Sequence, residues 1–124
     1  MHKRFNILFL LILSSVYGTV LNVPDDYGTI QEALDAAGAG DTIFVEAGTY
    51  YENVVWNPNY NGIQLIGFDR ETTIIDGNSN GKPVVVIEPI NSSSEYHILT
   101  NETKISGFTI QNGYAINEDS YLGQ

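Results

Sequence analysis

Apolar residues along this chain recur in short runs. Thr42-Ile43-Phe44-Val45, Ile63-Gln64-Leu65-Ile66, Val84-Val85-Val86-Ile87 and Ile105-Ser106-Gly107-Phe108 begin at a fixed 21-residue step. A period of about 20 to 50 residues marks stacked repeats, in which each unit buries its apolar side only against its neighbours. Asp41 to Glu46 reads as a strand, Ala47-Gly48-Thr49 as a turn and Tyr51 to Trp56 as a second strand. Asn57 to Gly62 is dense in turn formers and reads as a loop. Three more strands follow at Ile63 to Phe68, Thr72 to Ile75 and Val84 to Ile87, separated by Asp69-Arg70-Glu71 and by Asp76 to Pro83. Short strands with polar corners predict a parallel coil. The unbroken apolar run Val84 to Ile87 suits a strand with neighbours on both sides, an antiparallel sandwich being the alternative. Asn91 to Thr103 is polar and serine-rich and reads as an excursion, with a brief strand at His97-Ile98-Leu99. The last element is Thr103 to Asn112, and from Gly113 the pattern is lost.

One segment carries the other periodicity. Ile30, Ala33, Leu34 and Ala37 fall at i, i+3, i+4 and i+7, while Gln31, Glu32 and Asp35 point away from that stripe. Thr29 and Glu32 have capping-box spacing, and Gly38 and Gly40 supply a stop. A helix over 29–37 with so narrow an apolar face is marginal alone. It is expected to lie across the open end of a first coil that starts near residue 42.

The beginning of the chain changes the picture of where the protein works. Basic Met1-His2-Lys3-Arg4 leads into the apolar run Phe5 to Leu13 and then to Ser14, Ser15 and Gly18, the order and length of a secretory signal peptide. Val16 and Gly18 stand at −3 and −1 of a cut before Thr19, and the apolar core is shorter than the roughly 20 residues that span a bilayer. Residues 1–18 are expected to be removed, and 19–124 to be exported to the medium or the cell surface with no membrane insertion. The 106 residues left keep three of the five basic side chains and all fifteen acidic ones, a formal charge of −12. Such a field repels phosphate backbones and anionic lipid, which argues against nucleic-acid and membrane-surface partners. With no cysteine there is no disulfide staple, so an exported domain of this size relies on its core.

Candidate chemistry is sparse. Gly77-Asn78-Ser79-Asn80-Gly81 matches G-x-S-x-G, but a nucleophile elbow runs into a helix whereas Lys82-Pro83 runs into a strand, so it reads as a polar corner. His97 stands alone after residue 18, without a metal partner at the usual spacing. Asp69, Glu71 and Asp76 lie near two corners where hard cations find oxygen ligands, yet they have no EF-hand-like spacing and suit solvated turns. Tyr50, Tyr51, Trp56 and Tyr60 fall on one coil, where aromatic faces either stack on sugar rings or pack the coil edge. Asn91-Ser92-Ser93 and Asn101-Glu102-Thr103 are formal glycosylation sequons that matter in a eukaryotic source.

Three phrases carry a resemblance: TIQEALDAAGAGDTIFVEAGTYYENV, IQLIGFDRETTIIDGN and ISGFTIQNG. Together, over about residues 23 to 113, they resemble the N-terminal part of a right-handed parallel β-helix of the pectin-lyase-like superfamily. The resemblance implies an all-β solenoid with an N-terminal capping helix, incomplete at its C-terminal end. That fold carries lyases, hydrolases, esterases and non-catalytic surface proteins, so it leaves activity open. Tyr27 to Leu34 and Ala47 to Val54 are similar to the opening of pectin methylesterases. The catalytic carboxylates, glutamine and arginine of those enzymes lie in coils beyond the strand that Phe108 to Asn112 resembles, so no catalytic residue carries over. Ile105 to Ile110 is similar to the repeat phrase of bacterial exported β-helix proteins.

The expectation is therefore a secreted β-helix repeat protein, surface-associated or carbohydrate-binding, with no catalytic constellation, cofactor or metal site in residues 1–124. Polysaccharide is the partner the aromatic set implies. The alternatives are the N-terminal part of a polysaccharide-acting enzyme, pectinesterase-like or lyase-like, and a small secreted protein assembling end to end.

Overall fold

A computed structural model describes residues 17–56, 62–87 and 102–114. Among them the elements run β1 (Val20–Val23), α1 (Ile30–Ala36), β2 (Thr42–Val45), β3 (Gly48–Tyr51), β4 (Val54–Trp56), β5 (Gln64–Gly67), β6 (Thr73–Asp76), β7 (Val85–Ile87), β8 (Lys104–Ser106) and β9 (Thr109–Gln111). The strands form three sheets, ordered β1-β2-β5-β8, β3-β6-β9 and β4-β7. Every pairing is parallel. A tight hairpin cannot join parallel neighbours, so the chain passes from β1 to β2 through α1 and reaches the later neighbours by way of the other sheets. After α1 it visits the first, second and third sheet in turn through β2, β3 and β4, repeats the round with β5, β6 and β7, and begins again with β8 and β9. The described residues are thus β-rich and parallel, with one short helix.

The fixed 21-residue step does not survive as a strand register. In the first sheet Leu21 faces Ile43 and Ile43 faces Leu65, a spacing of 22, and Leu65 faces Ile105, a spacing of 40. Side chains alternate between faces, so a 21-residue register would set Ile43 against Gln64 and turn Leu65 out of the core. At 22, Ile43 and Leu65 stack fully buried. The run at Val84 does not belong to this sheet at all, because Val85 pairs with Val54 in the third.

Other boundaries also moved. The expected strand Tyr51 to Trp56 is two strands, β3 and β4, in different sheets, with a corner at Glu52 and Asn53. Gly48 and Thr49, expected in a turn, open β3. Strand β1, which the repeat pattern did not include, adds to the first sheet beside β2.

The helix forms where its capping signals place it, and its apolar stripe is buried with Val23, Ile43, Val45, Val54 and Trp56 in one core. It touches β1, β2 and β4, and so fills the first round where no strand stands in the second and third sheets. It ends on Ala37 in extended geometry rather than on a left-handed Gly38. The left-handed residue is Gly40, in the turn that follows.

The stack is tight enough to require glycine at one contact. A Cβ on Gly67 would lie 2.2 Å from the carbonyl oxygen of Gly107, itself at φ +80° and equally close to the Gly67 carbonyl. Two backbones meet there without an intervening side chain. A side chain at either position would push β5 and β8 apart just past their paired residues.

Candidate functional site

Strand alternation divides the aromatic residues. On β3, Tyr50 turns half inward and its hydroxyl donates to the Glu46 carbonyl at 3.0 Å, while Tyr51 points out and is 69% exposed. Burial, with the charges of Glu46 and Glu52, pushes the Tyr50 hydroxyl pKa above its ordinary value. Trp56 is 1% exposed inside the core, where its ring packs rather than presents a face. Tyr60, His97 and the sequon asparagines Asn91 and Asn101 lie outside the described residues. Of Tyr50, Tyr51 and Trp56, Tyr51 is the one turned fully to the surface.

A second aromatic feature went unnoticed in the sequence. Phe44 and Phe68 meet edge to face at 6.5 Å beside the half-buried Ile66, on the outer side of the first sheet, and Phe68 is 65% exposed. The signal was available: Phe44 alternates with the core residues Ile43 and Val45 and must therefore face outward.

The corner after β6 is built around Asp76. Its Oδ1 accepts the Asn78 N–H at 2.7 Å, and its Oδ2 accepts Gln111 Nε2 at 2.8 Å and Asn112 Nδ2 at 2.9 Å. These donors, the Gln111 amide foremost and then the Asn78 backbone, hold the carboxyl below the usual carboxylate range. Asn78, Ser79 and Asn112 adopt left-handed φ, and Ser79 N–H donates to the Asn112 carbonyl at 2.9 Å. The G-x-S-x-G phrase is thus a turn between strands, in which the backbone N–H of the exposed Ser79 is held by the neighbouring round. Asn53 joins this corner, donating to the Pro83 carbonyl at 2.8 Å and accepting from Asn80 Nδ2.

Asp69 sits at the other end of β6. Its Oδ1 accepts the Glu71 N–H at 2.7 Å, and Arg70 pairs with Glu71 at 3.2 Å on the exposed surface. Asp69 and Asp76 are therefore each spent on local donors, and among the described residues no group of three acidic, histidine or cysteine side chains converges on a point.

The N-terminal end of α1 is also fully committed. Thr29 Oγ1 accepts the Glu32 N–H at 3.1 Å, and Glu32 Oε2 accepts the Thr29 N–H at 3.1 Å. The remaining two N–H groups, of Ile30 and Gln31, donate to Glu52 Oε2 and Oε1 at 3.0 and 3.1 Å. Gln31 then stands in for a missing strand: its Nε2 donates to the Val55 carbonyl at 2.9 Å and its Oε1 accepts the Val55 N–H at 2.8 Å. One side-chain amide thus answers the exposed edge of β4 as a neighbouring peptide would.

What the described surface offers chemically is outward aromatics on the sheets and an amide-rich corner at Asp76. No helix among the described residues is long and apolar enough to cross a membrane. Comparison with known protein families, with curated proteins and with solved structures finds no match.

Proposed function

We propose that this chain forms the opening rounds of a right-handed parallel β-helix of the pectin-lyase-like kind, exported by its N-terminal signal and binding polysaccharide on its outer faces. The observation that carries the fold reading is the visiting order: three parallel sheets taken in the same sequence, round after round. Crossovers between parallel strands are right-handed in nearly all proteins, which supplies the hand. Helix α1, filling the first round where strands are missing, is placed as a cap would be.

Export is supported by the basic, apolar and small-residue order of residues 1–18 and by where the sheet takes hold. The Thr42 N–H donates to the Thr19 carbonyl at 2.8 Å, so the residue after the expected cut is the one at which the first strand is secured.

Polysaccharide binding rests on Tyr51. Its ring is 69% exposed, and its register partners across the second sheet are Asp76 and then Gln111. An exposed aromatic face on a sheet suits a sugar ring, whose apolar face stacks against it. Affinity electrophoresis of the secreted protein through gels carrying homogalacturonan, xylan or β-glucan tests this. Retardation in one of them, weakened by Tyr51→Ala and unchanged by Val55→Ala, is expected; equal mobility in all gels would refute the binding role.

A further inference from the structure

We propose that the Thr19 α-amine freed by signal cleavage becomes an ammonium ligand of Asp41, and that this ion pair anchors the first strand of the mature protein. The inference rests on the export reading above. In the uncut chain the Thr19 backbone N–H donates to Asp41 Oδ1 at 2.8 Å, and the Thr19 hydroxyl donates to the same oxygen at 3.0 Å. The carboxylate does not swing freely to meet them. Its Oδ2 accepts the Gly38 N–H at 2.8 Å, and the Asp41 N–H donates to the Gly38 carbonyl at 3.1 Å, so the turn after α1 fixes it.

Hydrolysis of the Gly18–Thr19 amide by a signal-peptidase-class endopeptidase adds water across the bond. The water oxygen goes to the Gly18 carbonyl carbon, which leaves as a carboxylate, and the Thr19 nitrogen departs as an amine that is protonated at neutral pH. A neutral donor 2.8 Å from a carboxylate thereby becomes a cation at the same place. Charge-assisted hydrogen bonds are roughly twice as strong as neutral ones. Thr19 is exposed, so the two remaining ammonium hydrogens meet water and none is left buried.

Two further carboxylates and Lys104, which is level with Val20 through Thr42 and Gln64, stand on or near the first sheet. Asp26 binds the Asn22 N–H and side chain at the far end of β1, at 2.8 and 2.9 Å. Glu102 stands beyond the turn: a Cβ on Gly62 would lie 3.5 Å from its Oε2 and 3.6 Å from the Gly40 nitrogen. The carboxylates favour the cation, while Lys104, three strands from β1, bears the opposing sign. The hydrogen bonds of Gly38 and Thr19 also hold the Asp41 carboxyl below its ordinary range, so it is ionised at the neutral pH at which the amine is charged.

Residue 18 supplies an independent observation. A Cβ on Gly18 would fall 1.7 Å from the Gly40 carbonyl oxygen and 2.4 Å from its carbon. The uncut backbone is pressed against the very turn that holds Asp41, and cleavage removes that contact while leaving the Thr19 nitrogen against the carboxylate.

The test begins with the intact mass of the protein secreted from the full-length reading frame. The α-amine is then titrated by its rate of acetylation across pH, read by mass spectrometry on the N-terminal peptide. The expected result is a chain beginning at Thr19 whose amine titrates above the value of about 7.7 to 8.0 of a free α-amine. Asp41→Asn brings the midpoint back to that value. So does an alanine inserted between Gly18 and Thr19, which keeps Asp41 and displaces the ammonium by one residue and serves should Asp41→Asn fail to fold. A mature chain beginning elsewhere overturns both the export boundary and the pair. A chain beginning at Thr19 with an ordinary amine in wild type overturns the pair alone.

Discussion

Replacing Glu52 by alanine should cost more than any other single change at the surface of this protein. Both carboxylate oxygens accept helix N–H groups, from Ile30 at 3.0 Å and Gln31 at 3.1 Å, and the residue belongs to the corner between β3 and β4 rather than to the helix. The substitution leaves two part-buried donors without an acceptor and loosens the helix that closes the core at Ile30, Ala33 and Leu34. Hydrogen bonds to charged groups are worth about 1.5–3 kcal/mol each, and partial access to water discounts them, so the two together contribute about 2–3 kcal/mol. For a chain of this size that lowers Tm by on the order of 10 °C. Circular dichroism melts and urea titrations of wild type, Glu52→Ala and Glu52→Gln measure it, with the glutamine variant falling between because its carbonyl oxygen still accepts one N–H. Native stability in Glu52→Ala, with a Tm within about 2 °C of wild type, would refute the idea that this corner holds the helix down.

Four further outcomes follow from the same geometry. Gly67→Ala drives a Cβ to 2.2 Å from the Gly107 carbonyl and should sharply lower the urea midpoint. Gly81→Ala, at φ +81° but facing open space, carries only the left-handed backbone penalty of roughly 1–2 kcal/mol. Asp26, Asp41 and Asp76 all have folded carboxyl pKa values below the ordinary one of about 3.9. Their stabilisation is complete above pH 4 or so and is lost as pH falls through the folded values; unfolding midpoints from pH 6 down to pH 2 should therefore drop on the acid side, less steeply in Asp76→Asn. Gly18→Ala separates precursor from product: its Cβ meets the Gly40 carbonyl at 1.7 Å in the uncut chain, but the residue is absent once the signal is removed. The secreted variant should match wild type in mass and Tm, whereas an uncleaved product would melt lower.

Local features were legible in the sequence, and long-range ones were not. The helix start followed from Thr29 and Glu32, three residues apart, and that box is present. Glu52 lies 21 residues from Gln31, and nothing in the sequence marks it as the acceptor that completes the cap. The runs at Thr42 and Ile63 belong to one sheet as expected, although the 21-residue step missed their register by one. Val84 misled because any apolar run of four fits a buried parallel strand in whichever sheet it stands. Tyr50 and Tyr51 read as one aromatic cluster, yet adjacent strand residues face opposite sides, and only Tyr51 reaches the surface. Trp56 followed the core alternation of β4.

The stacked parallel register is open to direct test because the chain contains no cysteine. Gln64 and Lys104 are register partners in the first sheet, 40 residues apart, and neighbouring strands lie about 4.8 Å apart, within disulfide reach. Oxidation of the Gln64→Cys/Lys104→Cys protein, followed by mass spectrometry of its peptides, should give an intramolecular crosslink in high yield, while Ile63→Cys/Val84→Cys should give none. A crosslink in the second pair and not in the first would contradict the parallel rounds on which every functional statement above depends.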